Sequence, residues 1–334
     1  MISSLKFILS TQLKRSGINK TISGFTLIEL LVAMVMAVLI ITPLMGFMIS
    51  ILDGDRKEQA KATSEQEIQA ALDYIARDLQ QAVYIYDADG VTRITNTTIS
   101  SSGIKDQIPP VKSASSCSPT SGSSPSVCTP ILVFWKRELI ADSVGITAST
   151  QTGAITTDTD DGFAYSLVAY YLITNPNQDN PTWSQAARIG RFQLRGPVNA
   201  TNANTTGSTS NPGFNPPPLD KTGAALKEKM NQWQAASANY TNQVVTLVDY
   251  IDISTTAPSC SNPNLVPSTS TSPTGPTSGF FACVDATEVL AQVYIRGNAL
   301  ARLQKNNLVY AANTKTYFPS SSIRVQGHGF LFSK

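Results

Sequence analysis

This sequence contains little histidine and no closely spaced pair of cysteines. It contains one histidine, His328, and none of its four cysteines stands in a CxxC pair. Zinc sites need several cysteine or histidine ligands, usually in close-set pairs, so the composition argues against one. The HExxH, GxSxG, Walker and GxGxxG motifs are also absent. We therefore expect a protein that is not an enzyme and that needs no cofactor.

Charged residues make up only 14% of the 334 residues, and they are unevenly distributed. Residues 1–24 hold four of the 25 basic residues and none of the 23 acidic ones, so the rest of the chain has a slight negative charge. That remainder lacks the basic patch with which nucleic-acid-binding proteins displace counterions, so nucleic acid is not an expected partner. A basic segment before an apolar one instead predicts membrane topology, because such segments tend to stay in the cytoplasm.

The apolar segment 25–52 contains a single charged residue, Glu29. As a helix it would be about 42 Å long, against about 30 Å for the hydrocarbon core of a bilayer. A cleaved secretory signal would have a shorter apolar core and a small-residue cleavage site. A plain membrane anchor explains the length but leaves the costly acid without a partner. Pro43 and Gly46 are expected to weaken or kink the helix, unless Pro43 is simply a tolerated membrane proline.

The stretch SGFTLIELLVAM, residues 23–34, resembles the processing motif of type IV prepilins and of the pseudopilins of type II secretion. The resemblance implies that a prepilin peptidase cuts between Gly24 and Phe25 and methylates the new amino terminus of Phe25. It also implies that Glu29 pairs with the cationic amino terminus of Phe25 on a neighbouring subunit, since an unpaired charge in an apolar helix bundle is strongly disfavoured. The alternative is a carboxylate stabilised only by the dipole of its own helix. Family members often have a helix break in the region of Pro43 and Gly46.

The same resemblance implies a location and a set of partners. The chain would cross the inner membrane once, with its head in the periplasm, and would reach a filament or the cell surface after assembly. Its partners would be the prepilin peptidase, other pilins or pseudopilins, and an inner-membrane assembly platform.

Segment 53–86 continues the helix in amphipathic form. Apolar residues recur at spacings of three and four, which is typical of one buried helical face. They are Ile68, Leu72, Ile75, Leu79 and Val83. The sequence 87–90 (DADG) predicts the turn that ends this helix.

Residues 87–334 are predicted to form a β-rich globular head. Strands are expected at 131–137, 163–173, 188–195, 244–253, 289–296 and 322–325, with a turn at 157–162 and a helix inserted at 221–238. The long Ser/Thr/Asn/Pro-rich connections cannot bury a core of their own; they are 96–130, 199–218 and 255–278. The predicted fold class is α+β: a long hydrophobic N-terminal helix packed on an antiparallel sheet.

The cysteines indicate an oxidising compartment. Two local disulfides, Cys117–Cys128 and Cys260–Cys283, would each close one of the polar loops. A bridge of this loop size stabilises by roughly 3 kcal/mol in the chain-entropy model. The pairing is inferred from proximity, since four cysteines allow three connectivities.

Two weaker patterns point to ligands. Asp158, Asp160 and Asp161 precede Gly162 as in a calcium loop, but the glycine comes one place too early for an EF-hand, and an acidic hairpin turn is the alternative. Four aromatic residues are candidates for stacking on sugars, although aromatic residues at strand spacing more often belong to a core or an interface. They are Trp135, Tyr165, Tyr170 and Tyr171.

Later segments carry a narrower resemblance. YSLVAYYLIT with IGRFQLRG resembles the J-type minor pseudopilins and the related W-type minor pilins. VLAQVYIRGNALAR, residues 289–302, is similar to pseudopilins of cyanobacterial hormogonium polysaccharide secretion. This implies a non-catalytic filament subunit that supports polysaccharide secretion and gliding motility, with polysaccharide as a further candidate partner. The alternatives are a tip subunit of a type IV pilus or type II secretion pseudopilus, and a single-pass anchored binding protein outside the cytoplasm.

Overall fold

The computed structural model divides the chain into two compact units, with the division after Asp55. The residues that it describes are 25–114, 117, 127–149, 155–174, 183–184, 186–198, 210–223, 225–254, 259–260, 264–267, 279–304 and 309–329.

Helix α1 (Leu27–Gln80) is 54 residues long and continuous through Pro43 and Gly46. The large apolar side chains of its first half are 46% to 88% exposed. Its second half buries one face, which includes the predicted positions Ile68, Leu72, Ile75 and Leu79. A role for Pro43 and Gly46 as a break during assembly stays a prediction.

The helix ends earlier than the sequence predicts, because residues 82–85 form a strand. In β1 (Ala82–Ile85) all four residues are buried, and the strand pairs antiparallel with β2, with Ile85 opposite Phe134. Val83, the last residue of the predicted helical face, is therefore buried in a strand. An apolar residue at position 83 fits both the helical and the strand periodicity, so the hydrophobic pattern alone could not distinguish a helix from a strand here. The predicted turn at 87–90 is also wrong: Asp87 caps a short helix, α2 (Ala88–Thr92), by accepting a hydrogen bond from the N–H of Gly90.

Two antiparallel sheets build the rest of the second unit, which confirms the α+β class. The first has the strand order β1-β2-β3-β4-β5, and the second has the order β6-β7-β8-β9. The remaining strands are β2 (Val127–Ser149), β3 (Ile155–Thr174), β4 (Ala187–Arg195), β5 (Val245–Ile251), β6 (Asn264–Val266), β7 (Phe280–Asp285), β8 (Leu290–Arg296) and β9 (Ser320–Gln326).

The predicted acidic turn at 157–162 is wrong, because this segment belongs to β3. Strands β2 and β3 form one long hairpin whose pairing extends to Ser149 opposite Ile155. Asp158 lies opposite Ile146 and Asp160 opposite Val144. The alternating threonines favour an extended backbone, and the cross-strand pairing outweighs the turn preference of the aspartates.

The predicted helix at 221–238 is shorter than expected. Among the described residues of this segment only α3 (Leu226–Met230) is helical, and the chain then continues without regular structure. Trp233, expected on the apolar side of that helix, is buried, and its Nε1 donates to the carbonyl oxygen of Asn215 at 3.0 Å. This tertiary contact outweighs the helix propensity of the segment.

The first sheet separates two layers of hydrophobic core. One layer lies between α1 and the two sheets and takes Leu132 and Phe134 from β2. The other layer lies on the opposite face and takes Val133 and Trp135 from the same strand. Successive residues of β2 thus alternate between the layers, as the strand period of two requires.

Each disulfide joins a cysteine to the next cysteine along the chain, 11 and 23 positions away. Cys117 is bonded to Cys128 and Cys260 to Cys283, with Cα–Cα distances of 5.9 and 5.8 Å. This is the local pairing that the sequence favours. The bonds attach two polar connections to β2 and β7.

Candidate functional site

The predicted processing site lies where the described chain begins. Gly24 lies outside the described residues, whereas Phe25 is 81% exposed and stands before the first helical residue, Leu27. Thr26 starts the helix, because its Oγ1 accepts a hydrogen bond from the backbone N–H of Glu29 at 3.3 Å. Phe25 is therefore accessible and non-helical, as a residue next to a cleaved peptide bond needs to be.

The carboxylate of Glu29 lies in the first turn of α1 and is exposed. It makes no ion pair or side-chain hydrogen bond with any other residue that the structure describes. The positive end of the helix dipole favours a negative charge there, so the dipole alternative fits the geometry as well. A cation from outside the described residues could still reach the carboxylate, as the pairing with a neighbour's amino terminus requires.

The surface around Glu29 is apolar on all sides. Helix α1 is long and apolar enough to cross a membrane by length and composition, and none of its most apolar eighteen-residue window is buried within the chain. Side chains as large as Leu27 (88%) and Phe47 (67%) face outward. Such a surface needs lipid or neighbouring helices around it.

The calcium prediction and the sugar-stacking prediction have different outcomes. No group of three or more His, Cys, Asp or Glu that could hold a metal occurs among the described residues. The side chains of Asp158 and Asp160 lie outside the described part, and Asp161 is exposed in β3, so the calcium prediction stays a prediction. The sugar-stacking prediction is wrong for Trp135, Tyr170 and Tyr171, whose side chains are fully buried in the core layers; Tyr165 is half-buried.

A buried ionic network near the end of α1 is a feature that the sequence reasoning missed. Asp78 Oδ1 lies 3.1 Å from Lys136 Nζ, and Oδ2 lies 2.7 Å from Arg191 Nε. The hydroxyl of Tyr170 donates to Oδ2 at 2.7 Å. Lys136 Nζ also lies 2.9 Å from Glu138 Oε2, so two acids and two bases neutralise one another.

The network shifts the pKa values of Asp78 and Tyr170, and the hydrogen bond and charge of Asp78 raise the pKa of Arg191 against the effect of burial. Burial acts to raise the pKa of Asp78, but the hydrogen bond from Arg191 and the charges of Arg191 and Lys136 outweigh it, so the pKa lies below its ordinary value of 3.8. Burial raises the pKa of Tyr170, and the nearby charge of Asp78 raises it further. Asp78 is thus a charged link between helix and sheet at neutral pH.

Residues 296–302, which run from the last residue of β8 through the following turn, pack against the second half of α1 and are called the clamp below. Arg296 Nε and Nη2 donate to Asp252 Oδ2 at 2.8 and 2.5 Å. Gly297 lies so close to α1 that a Cβ on it would be 2.6 Å from both Ile68 Cδ1 and Ser64 Oγ.

The clamp continues into the following turn. Asn298 Oδ1 accepts from the N–H of Ala301 at 3.1 Å, which caps a short 3₁₀ helix (Ala299–Arg302). Arg302 then forms an ion pair with Glu67 of α1. Residues 296–302 (RGNALAR) therefore have a structural role in this chain, because they connect α1, the turn and the second sheet.

Comparison with known proteins supports only the N-terminal part of the assignment. Residues 19–45 match the family model described as the prokaryotic N-terminal methylation motif. Neither a curated protein nor a solved structure matches the chain. The motif supports a type IV pilin-like subunit, which implies processing by a prepilin peptidase and assembly with other pilins, and together with the apolar helix it is consistent with a membrane-anchored pilin.

Proposed function

We propose that this chain is a minor pseudopilin whose first helix half becomes part of a filament core. The observation that carries the proposal is the methylation motif at 19–45, which overlaps the unburied apolar first half of α1 (27–52), where Glu29 is the single acid and is exposed. Cleavage after Gly24 would create a cationic amino terminus at Phe25. That group on a neighbouring subunit would neutralise Glu29 and set the axial register of the subunit.

The test of processing is the mass and N-terminal sequence of the mature protein from native membranes. We expect a start at Phe25 with one added methyl group. Gly24→Ala should leave the full-length precursor, whereas Gly46→Ala should be processed normally, since a Cβ at Gly46 meets nothing within 4 Å. A mature chain that starts at Met1, or beyond residue 40, would remove the filament assignment.

The proposed filament is one that supports polysaccharide export and gliding motility. The support is the resemblance of residues 289–302 to pseudopilins of that system, together with the long Ser/Thr/Pro-rich connections of the head. The test compares a strain that lacks the chain with one that carries Glu29→Gln, in released polysaccharide and in surface pili. Loss of polysaccharide with normal pili supports the proposal, and loss of pili with normal polysaccharide favours a type IV pilus tip.

A single-pass anchored binding protein is the second candidate function. The accessible head and the apolar anchor are enough for it, and it needs no neighbour for Glu29. Crosslinking in native membranes separates the two functions. A cysteine placed at Met48, which is 59% exposed on the first half of α1 and lies away from Phe25 and Glu29, should crosslink different subunits in a filament, and an anchored monomer should give no crosslinked dimer.

A further inference from the structure

A surface cleft of about 510 Å³ lies between the second half of α1 and strand β5 at the edge of the first sheet. It belongs wholly to the unit that follows Asp55. Its walls carry three aromatic side chains from three separate parts of the chain, namely Tyr74, Trp183 and Tyr250. Tyr74 is 43% exposed, and the other two are half-buried.

An arginine is stacked near each of these rings. The guanidinium carbon of Arg302 lies 4.1 Å from the ring centre of Tyr250. The corresponding distance is 5.5 Å for Arg191 and Tyr74, and also 5.5 Å for Arg188 and Trp183. Cation–π contacts of this length hold a ring in place, so the cleft presents aromatic surfaces that are already oriented.

The charges around the cleft are balanced by one another. Arg302 pairs with Glu67, and Arg191 pairs with Asp78. Burial lowers the pKa of Arg188, and the charge of Asp249 opposes that shift. An anionic ligand would have to compete with these carboxylates for each cation, so the cleft favours a neutral ligand.

The backbone of β5 is distorted at the cleft. Val248 and Ile251 lie opposite Ile189 and Ala187, so β5 has one residue more than β4 in this interval, which is a β-bulge. Within the bulge Tyr250 has a φ of 61°, a left-handed conformation that is an outlier for a bulky residue. The N–H of Tyr250 donates to Asp249 Oδ1 at 2.7 Å, and the carbonyl oxygen of Tyr250 accepts from the N–H of Asn298 at 2.7 Å. These two hydrogen bonds hold the backbone of Tyr250 in this conformation. Outliers of this kind cluster at sites that hold ligands.

We propose that this cleft binds a neutral oligosaccharide. A pyranose ring has an apolar face of C–H groups and a rim of hydroxyls, so it needs aromatic walls together with a few polar groups. The cleft offers the three rings, the hydroxyls of Tyr74 and Thr246, and the apolar side chain of Leu247. Neither hydroxyl has a hydrogen-bond partner within the described part of the chain, so both are available to a ligand.

The inference deepens the proposed role in polysaccharide export and rests on it for the biological source of the sugar. Binding at the cleft is measured apart from processing and assembly at Gly24, Phe25 and Glu29, so either can fail alone.

The experiment titrates the whole protein as purified from native membranes, whether or not it is processed, in lipid nanodiscs, because the sugar headgroups of maltoside detergents would compete for the cleft. The probes are neutral hexasaccharides of the cello, malto, laminari and manno series. Their binding is measured by calorimetry and by tryptophan fluorescence. Trp135 and Trp233 are buried, so a change in fluorescence should come from Trp183. We expect at least one series to bind, and Tyr74→Ala to weaken that binding about tenfold by removing a stacking ring.

Two matched variants make the result specific. Tyr74→Phe keeps the ring and should retain most of the affinity. Phe163→Ala removes another exposed aromatic that stacks on an arginine, 3.6 Å from Arg137, but lies outside the cleft, and it should leave binding unchanged. Unchanged thermal unfolding of Tyr74→Ala would show that the head is intact.

Several outcomes would overturn the proposal. They are no binding by any of the four series, equal losses in Tyr74→Ala and Phe163→Ala, and tighter binding of an acidic oligogalacturonate. Protection of Tyr74 from chemical modification only in assembled filaments, without sugar, would assign the cleft to a second copy of this chain and would also overturn it.

Discussion

The two halves of helix α1 share one secondary structure but differ in what covers them. From Leu27 to Leu52 the large apolar side chains are about half exposed or more, whereas nine residues between Ala60 and Leu79 are buried against the head. A fully buried Leu, Ile or Met side chain contributes about 1.5–3 kcal/mol relative to an exposed one. The first half therefore carries a large apolar surface that only lipid or neighbouring helices can bury.

The same contrast applies to one acid in each half. Asp78 lies on a buried helical face, and Lys136, Arg191 and Tyr170 surround it within 3.1 Å. Glu29 lies on an apolar surface and has no such partner among the described residues. An acid in an apolar setting needs a cation. Asp78 finds its cations in the chain, and Glu29 is expected to find one on another subunit.

Neutralising Glu29 should give the largest effect. Glu29→Gln should be cleaved and methylated normally, but its incorporation into filaments should fall by at least about a hundredfold, since breaking a buried charge pair costs about 3–5 kcal/mol. The measurement is the amount of mature subunit in sheared filaments relative to membranes. Glu58→Gln, which removes an exposed acid further along α1, is the control and should assemble as wild type. Normal assembly of Glu29→Gln would leave the helix dipole as the explanation of this acid.

Asp78→Asn should give the largest loss of folding stability. Lys136 and Arg191 would lose the carboxylate that they share, so the free energy of unfolding should fall by about 3–5 kcal/mol. Urea denaturation of the purified mature chain, followed by near-UV circular dichroism, measures this loss. Asp73→Asn, an exposed acid on the same helix, should change stability little. Equal effects of the two variants would show that the network contributes nothing beyond a surface charge.

The contribution of Asp78 should depend on pH in a defined direction. Its pKa in the folded protein lies below the ordinary value of 3.8. A carboxyl with a lowered pKa stabilises the fold fully above its unfolded pKa, and this contribution is lost as the pH falls through the folded pKa. The difference in unfolding free energy between wild type and Asp78→Asn should therefore be constant near neutral pH and shrink below about pH 3.8. A difference that grows on acidification would contradict the assignment.

The sequence predicted the long helix, its buried positions and most strands, because these depend on local periodicity. Ile68, Leu72, Ile75 and Leu79 follow the helical period, and all are buried. The errors arise where contacts distant in sequence decide the local structure. Residues 82–85 become a strand because β2 is available for pairing, and the acidic segment 157–162 stays extended because it lies opposite residues of the same long hairpin.

The candidate sites divide in the same way. The motif around Gly24, Phe25 and Glu29 is contiguous, so it can be recognised without a fold. The cleft cannot be foreseen, since Tyr74, Trp183 and Tyr250 are far apart in sequence and meet only in the folded head. The sequence does contain one indication that Asp78 is buried: it follows Ile75 by three residues and so lies on the helical face that the apolar periodicity predicts to be buried.

Gly297→Ala should destabilise the head moderately. The new Cβ would be 2.6 Å from Ile68 Cδ1 and Ser64 Oγ, and both residues are 2% exposed, so neither can move aside freely. Overpacking of this kind costs about 1–3 kcal/mol. The same urea measurement tests it, with Gly54→Ala as the control, since a Cβ at Gly54 meets nothing within 4 Å. A stability equal to wild type would show that the clamp is loosely packed.

The ion pair between Glu67 and Arg302 should have the smallest effect, although it joins α1 to the same clamp. The side chain of Glu67 is 40% exposed and that of Arg302 is 18% exposed, so water already screens the pair. Exposed pairs typically contribute about 0–1 kcal/mol. Arg302 would also keep its contact with the ring of Tyr250 after Glu67→Gln. We expect a loss below about 1 kcal/mol that salt reduces further. A loss as large as that of Asp78→Asn would show that position in the clamp, and not burial of the charge, decides how much an acid on α1 stabilises the head.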